Sequence, residues 1–164
     1  MDLEQSFLQM GNSQPQNDLE QAFASMGPSF QPPASSDPWQ NFLNTAQPIA
    51  EKSNFPMSVL AGQAALETGR GTSQMAKNKN NYFGFMAYDS NPGAARSYSD
   101  PSQSINDYIN LIQNDPRYAK AWNNYLVTRD PVQLIQGIKA AGYATDPNYV
   151  SKILSEPEFK QYAK

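Results

Sequence analysis

The stretch that decides the fold of this 164-residue chain lies at residues 56–71 and reads PMSVLAGQAALETGRG. It opens with Pro and closes with two glycines, which predicts a single helix. Counting back from Glu67, the positions three, four and seven residues earlier hold Ala64, Gln63 and Leu60. Because these positions share one helix face, the carboxylate of Glu67 is expected on an inward stripe of small and apolar residues.

Two interpretations of Glu67 follow from this position. Burial disfavours a charged carboxylate, and the negative end of the helix dipole acts in the same direction, so the pKa of Glu67 is expected to be raised. A raised pKa suits a general acid at neutral pH. Alternatively, Arg70 forms an ion pair with Glu67, which lowers the pKa and explains the residue without catalysis. Periodicity alone does not choose between them.

The composition narrows the available chemistry. The chain has no Cys and no His, which excludes disulfides and both Ser-His and Cys-His nucleophile pairs. Its net charge is −3 and it has no stripe of Lys and Arg, so no nucleic-acid surface is expected. Carboxylate acid–base chemistry is therefore the default hypothesis for an enzyme, and it needs no cofactor and no metal.

The first residues and the hydropathy bear on location. Met1 to Gln5 are acidic, without a following apolar segment, so no secretory signal peptide is expected. No stretch is long enough to span a bilayer. A substrate outside the cytoplasm would therefore require another route of delivery.

Residues 1–37 are rich in Gln, Ser, Pro and Asn and are predicted to form a flexible tail and linker before a domain at 38–164. Inside the tail, residues 2–11 (DLEQSFLQMG) recur as residues 18–27 (DLEQAFASMG). Each copy has Leu, Phe and Met at helical spacing before a Gly, so each can form a short amphipathic helix. The pair is either a duplicated docking peptide for a partner's groove or a chance duplication that packs on its own domain.

Helix signals dominate after the linker. Four Asp-Pro steps combine an N-cap acceptor with Pro at the first helical position. They are Asp37-Pro38, Asp100-Pro101, Asp130-Pro131 and Asp146-Pro147. Gly142 marks the end of the helix that follows the third step. These signals predict about six or seven short helices.

A loop interrupts the helices between residues 78 and 99, where Asn, Gly and Pro break the periodicity. It contains the string NNYFGF at residues 80–85. Aromatic faces stack on sugars, and amides hydrogen-bond hydroxyl and acetamido groups. Asn81, Tyr82 and Phe83 are therefore candidate sugar contacts.

Four blocks of sequence together resemble glycoside hydrolase family 73, which includes the glucosaminidase domains of bacterial autolysins and flagellar peptidoglycan hydrolases. The blocks are AALETGRG at 64–71, NYFG at 81–84, ARSY with SINDY between 95 and 108, and GYATDPNY at 142–149. The resemblance covers roughly residues 38–164. Four blocks in the right order are far more specific than any one of them.

The resemblance implies a mainly α, lysozyme-like domain of two lobes, with a cleft between them and a short, reduced β-hairpin lobe after the second block. It also implies that Glu67 is the catalytic acid and that Tyr143 lies near the scissile bond, with Thr145 as a substrate contact. The alternative for Tyr143 is a core residue that closes a helix. Asp146 is expected to be an N-cap rather than a catalyst.

A second carboxylate is harder to assign. Many family members supply one from a longer hairpin lobe, whereas here Asp89 is the only acid between Gly84 and Arg96. Asp89 is either the second catalytic group or a turn residue. A long separation from Glu67 would suit water activation with inversion, and a short one a nucleophile with retention. Without Asp89, the substrate's own acetamido group or a hydroxyl could attack, and the hydroxyl route gives an anhydro product.

The sequence thus predicts an endo-acting β-N-acetylglucosaminidase that cleaves the glycan strands of peptidoglycan. One alternative is a muramidase or lytic transglycosylase on the same scaffold. Another is a structural, cell-wall-binding component of an assembly. The docking-type tail and the lack of a signal peptide suggest delivery through a virion, a secretion apparatus or a holin-dependent lysis route.

Overall fold

The computed structural model describes residues 35–87 and 94–164. The tail repeats at residues 2–11 and 18–27 lie outside the described residues, and so does Asp89. The interpretations attached to them stay predictions.

The described residues form eight helices and almost no β-structure. The helices are α1 (Pro38–Ser53), α2 (Met57–Thr68), α3 (Gln74–Lys79), α4 (Pro101–Asn114), α5 (Ala119–Thr128), α6 (Pro131–Ala140), α7 (Tyr149–Ser155) and α8 (Pro157–Tyr162). One antiparallel bridge joins Met86 to Ala95, on either side of residues 88–93. The prediction of a mainly helical domain with a reduced hairpin is confirmed. None of the described helices combines the length and the apolarity that crossing a membrane requires.

Three of the four Asp-Pro steps start helices as predicted. Asp37 precedes α1, Asp100 precedes α4 and Asp130 precedes α6. In each case the carboxylate accepts a hydrogen bond from the backbone N–H two residues later. Pro occupies the first helical position, where the helix needs no N–H donor. Local capping chemistry therefore fixes the start of these helices.

The fourth step does not start a helix, so that prediction is wrong. Helix α7 begins at Tyr149, and its N-cap is Asn148. The Asp146 carboxylate accepts from the backbone N–H of Asn148 at 2.9 Å and pairs with Lys152 Nζ at 2.6 Å. The carboxylate thus closes a turn over Pro147 and Asn148 before the helix begins, as Asp residues commonly do.

Helix α2 lies at the centre of the core, with α1, α6, α7 and α8 packed around it. Nine of its 12 residues are buried, and Gly69 ends it in the left-handed conformation (φ 56°). A Cβ at Gly62 would lie 3.0 Å from Ile153 Cγ2 and 3.1 Å from Phe159 Cβ, so α7 and α8 approach the α2 backbone closely. Glu67, in the last turn of α2, is carried on a helix held from several sides.

An aromatic layer fixes the loop that follows α3. Tyr82 stacks on Phe42 of α1 with ring centroids 4.4 Å apart, and Phe83 stacks on Tyr108 of α4 at 4.3 Å. Phe42, Tyr82, Phe83 and Tyr108 all belong to the buried core. The loop is thereby held beside the end of α2.

Candidate active site

The carboxyl group of Glu67 is half-buried in the last turn of α2. Burial raises the pKa of Glu67 above the ordinary carboxyl value, and the hydrogen bond that Tyr149 donates to Oε1 at 3.1 Å offsets part of this increase. The other oxygen, Oε2, faces Gly84, where an added Cβ would lie 3.9 Å from it. The carboxyl group is thus desolvated and anchored through one oxygen, while the other points towards the loop.

Arg70 does not pair with Glu67. The backbone is left-handed at Arg70 (φ 56°), and the guanidinium turns to α8 and the residue before it. Nη2 lies 2.6 Å from Glu156 Oε2, and Nε lies 2.7 Å from Glu158 Oε1. The ion-pair alternative for Glu67 is therefore wrong, and the raised pKa expected from burial is what the structure shows.

A cleft of about 430 Å³ opens beside Glu67. Four aromatic residues line it, from the loop after α3 and from the ends of the helices that face it. They are Phe83, Phe85, Tyr118 and Tyr143. Met86, Leu111 and Arg117 complete much of the remaining surface. Aromatic faces beside a carboxyl group form a surface that suits a sugar polymer.

The structure brings Tyr143 into the same cleft as Glu67. Its hydroxyl donates to the backbone oxygen of Phe83 at 3.3 Å, and its ring makes edge contacts with Tyr108 and Tyr118. Burial raises the pKa of Tyr143 well above its usual value. Tyr143 therefore remains protonated at neutral pH and can donate a hydrogen bond but not act as a base.

Two of the predicted sugar contacts have a different role, which corrects the sequence-based assignment. Asn81 is 0% exposed, and its Nδ2 donates to the backbone oxygens of Phe85 and Arg96 at 2.8 and 2.9 Å. Its Oδ1 accepts from the Phe85 N–H. Asn81 thus ties the outgoing and returning arms of the reduced hairpin together, because buried backbone groups need partners.

Tyr82 is likewise buried, with 1% of its surface exposed, and its hydroxyl donates to the Pro38 backbone oxygen at 3.2 Å. It anchors the loop to the start of α1 and does not line the cleft. Thr145 is exposed on the segment between α6 and α7 and is not among the described cleft-lining residues. Of the predicted substrate contacts, Phe83 alone lines the cleft.

The partner of Glu67 that the sequence did not single out is Tyr149. Gln63 Nε2 donates to the Tyr149 hydroxyl at 2.8 Å, and the Tyr108 hydroxyl donates to Gln63 Oε1. Gln63 lies one helical turn before Glu67, so its shared face was visible in the sequence. Tyr149 belongs to another helix, and no local spacing relates it to Glu67.

Sequence comparison identifies the family. The glucosaminidase family model, described as mannosyl-glycoprotein endo-β-N-acetylglucosaminidase, matches residues 43–156, which include Glu67, Tyr143 and Tyr149. The chain belongs to the glucosaminidase family.

Curated relatives and solved structures agree with this membership. The peptidoglycan hydrolase FlgJ of Vibrio parahaemolyticus is 36% identical over 149 residues, which are 74% of this chain and 47% of the relative. FlgJ of Vibrio cholerae is 33% identical over 145 residues, which are 72% of this chain and 42% of the relative. The chain thus spans less than half the length of these two relatives.

Among solved structures, the glycoside hydrolase domain of Salmonella typhimurium FlgJ is 31% identical, with a TM-score of 0.56 over 75% of this chain and 87% of that domain. A peptidoglycan hydrolase from Sphingomonas sp. A1 is 29% identical, with a TM-score of 0.58 over 75% of this chain and 92% of the other. Both matches cover nearly all of the solved domain and most of this chain.

Within residues 35–87 and 94–164 of this glucosaminidase-family chain, Glu67 is the one acidic residue that lines the cleft. The hairpin that the single Met86–Ala95 bridge closes is short. Asp89, the second carboxylate that the sequence suggested, lies outside the described residues, so its role stays a prediction.

Proposed function

We propose that this chain hydrolyses the glycan strands of peptidoglycan as an endo-β-N-acetylglucosaminidase, with Glu67 as general acid. The observation that carries the proposal is the half-buried Glu67 carboxyl group, whose pKa is raised by burial and whose nearest sequence cation, Arg70, is engaged elsewhere. The family membership and the names of the FlgJ relatives, which are peptidoglycan hydrolases, support the same substrate class.

The site suits glycosidic bond cleavage in the following way. A protonated Glu67 gives its proton to the oxygen that leaves as the bond to the anomeric carbon breaks, and the electron pair of that bond goes to the leaving oxygen. Phe85 and Tyr143, the partly exposed aromatic residues of the cleft wall, can contact the sugar rings. Tyr143 lies beside Glu67 in the cleft wall, and its hydroxyl must leave the Phe83 backbone oxygen before it can donate a hydrogen bond as charge develops. Water finally adds to the anomeric carbon.

The configuration of the first product separates the routes by which water adds. Asp89, acting as a base on water, gives inversion, whereas the acetamido group or a carboxylate nucleophile gives retention. Proton NMR of the anomeric signals during the first turnover measures this configuration. Asp89→Asn abolishes the reaction in the Asp89 route and leaves it intact in the acetamido route.

The proposal is tested by digesting purified peptidoglycan with wild type, Glu67→Gln and a matched control, Glu51→Gln. Glu51 is exposed on α1, away from the cleft. Gln keeps the shape of Glu but has no transferable proton, so we expect Glu67→Gln to lose about 10²-fold or more in rate. Wild type and Glu51→Gln should release fragments with N-acetylglucosamine at the new reducing ends.

Mass spectrometry of those ends decides between the functions. N-acetylmuramic or anhydro ends would assign the chain to the muramidase or lytic transglycosylase class. Binding to peptidoglycan without products would favour a structural, cell-wall-binding component. Full activity of Glu67→Gln would remove Glu67 from the mechanism.

The tail repeats at residues 2–11 and 18–27 suggest how the enzyme reaches its substrate. We propose that they dock it to a partner assembly such as a virion or a secretion apparatus, because each carries Leu, Phe and Met at helical spacing. Deletion of residues 1–27 should spare hydrolysis in vitro and abolish co-purification with that assembly. Retention of both properties would show that the tail is passive.

A further inference from the structure

A chain of hydrogen bonds runs from the buried core to the carboxyl group of Glu67. The Tyr108 hydroxyl donates to Gln63 Oε1, Gln63 Nε2 donates to the Tyr149 hydroxyl at 2.8 Å, and that hydroxyl donates to Glu67 Oε1 at 3.1 Å. Tyr108 and Gln63 are 0% exposed and Tyr149 is 4% exposed. The three side chains come from α4, α2 and α7, so tertiary packing brings together the residues of this chain of hydrogen bonds.

The hydrogen bonds of this network all run in one direction, from the donor Tyr108 to the acceptor Glu67. An amide oxygen only accepts and an amide nitrogen only donates, so with Gln63 Oε1 placed towards Tyr108 the amide nitrogen donates to Tyr149. The Tyr149 oxygen therefore accepts from Gln63, and its own proton points to Glu67. With Oε1 occupied as an acceptor, the proton of a neutral Glu67 resides on Oε2. Oε2 is the oxygen that faces Gly84, which also lines the cleft.

We propose that Tyr149, oriented by Gln63 and Tyr108, is a positioning residue that keeps the acidic proton of Glu67 on Oε2, towards the cleft. This inference rests on the proposed function of Glu67 as general acid. Tyr149 itself is buried and is not among the described cleft-lining residues. Tyr149 determines which oxygen of Glu67 carries the proton. That proton passes from Oε2 to the leaving oxygen as the glycosidic bond breaks.

The other ionisable groups around Glu67 leave this role to Tyr149. Tyr143 and Tyr118 share the cleft, and each is a neutral hydroxyl whose pKa is raised by burial. Tyr108 is fully buried and bonded to Gln63. Arg117 also lines the cleft, and its guanidinium is bonded to Asp115. Tyr149 is the donor recorded on the Glu67 carboxyl group within the described residues.

The test is the pH dependence of kcat and KM for Tyr149→Phe on soluble glycan fragments. Loss of the donor has two consequences. The acidic proton is no longer confined to Oε2, so kcat falls about tenfold while KM stays unchanged. The carboxylate also loses a stabilising hydrogen bond, so the pKa of Glu67 rises and the alkaline limb of the kcat profile moves to higher pH.

Gln63→Met is the second variant, because it retains the Tyr149 hydroxyl but removes the group that orients it. We expect the same shift of the alkaline limb in a smaller amount. Tyr125→Phe is the matched control, since Tyr125 packs on Trp122, away from the cleft, and should leave the profile unchanged. A merely structural role for Tyr149 would scale the whole profile down with the folded fraction, without moving the limb.

The outcomes separate this inference from the proposed function. If Glu67→Gln is inactive while Tyr149→Phe has wild-type kcat and an unmoved limb, the positioning role is wrong and the general acid stands. If Glu67→Gln is fully active, the proposed function itself fails. A ¹³C-NMR titration of the Glu67 carboxyl carbon adds a readout without turnover: it should report a higher pKa in Tyr149→Phe than in wild type, and equal values would overturn the inference.

Discussion

Replacing Arg70 with Gln tests whether this cation serves the fold or the catalytic acid. The guanidinium makes three hydrogen bonds to Glu156 and Glu158, with lengths of 2.6 to 3.1 Å. The two carboxylates are 17% and 10% exposed, whereas the Arg70 side chain is 42% exposed. Arg70→Gln would leave two poorly solvated carboxylates side by side without their cation.

The magnitude lies between two limits. Breaking a fully buried ion pair from one side costs about 3–5 kcal/mol. An exposed pair contributes roughly 0–1 kcal/mol. Because the carboxylates are mostly buried and Arg70 is partly exposed, we expect a loss of about 2 kcal/mol in the free energy of unfolding. For a domain of this size, that corresponds to a fall in Tm of about 8 °C.

The chain supplies a closely matched control in Arg129. Arg129 also follows the end of a helix in the left-handed conformation (φ 56°), but its guanidinium lies over the ring of Tyr125 at 5.7 Å and is exposed. Arg129→Gln therefore removes the same side chain from the same backbone conformation. It should cost only about 0.5 kcal/mol, as expected for an exposed cation–π contact.

The assay combines thermal unfolding with the pH profile of glycan hydrolysis. Arg70→Gln should lower Tm and leave the alkaline limb of kcat unmoved, because Arg70 does not contact Glu67. The reverse result, an unchanged Tm and a limb displaced to higher pH, would mean that Arg70 pairs with Glu67 in solution. Burial without a paired cation would then not describe the environment of Glu67.

Two further predictions concern stability. Burial raises the folded-state pKa of Glu67, so the folded protein loses stability as the pH rises from the ordinary carboxyl pKa through the raised one. Glu67→Gln should therefore have a higher Tm than wild type at pH 7 and the same Tm near pH 4. A lower Tm of this variant at pH 7 would contradict the prediction. At Gly137 an added Cβ would lie 2.6 Å from Ala121 Cβ. Gly137→Ala should therefore force α5 and α6 apart and lower the free energy of unfolding in urea by about 1–2 kcal/mol, and adding Ala121→Gly should restore it. A gain in stability would show that the two helices are not in close contact.

The sequence predicted those parts of the fold that depend on neighbouring residues. Asp37, Asp100 and Asp130 start helices because an N-cap needs only its own carboxylate and the next two amides. Asp146 has the same local signal, but its carboxylate closes a turn and binds Lys152. Nothing in the dipeptide distinguishes a turn from a helix start, because both use the same hydrogen bond.

The site was predictable only in part, for a related reason. Glu67 was identifiable from helical spacing and from a sequence block, both of which are local. Tyr149 lies 82 residues away and reaches Glu67 through the packing of α7 on α2. Asn81 was misjudged because a polar side chain in an aromatic loop suits a ligand or the backbone equally well, and burial alone decides which.

The burial of α2 on several sides determines which parts of the site can move. Its amides from Leu60 to Ala64 lie in buried residues within a continuous helix, so hydrogen exchange there should require unfolding of the whole domain. The opposite wall, at residues 83–86, is held by the Met86–Ala95 bridge and by the hydrogen bonds of Asn81 rather than by a continuous helix, so its amides should exchange through a smaller opening. We therefore expect the amides of α2 around Leu60 to Ala64 to exchange more slowly than those of the wall that faces Glu67.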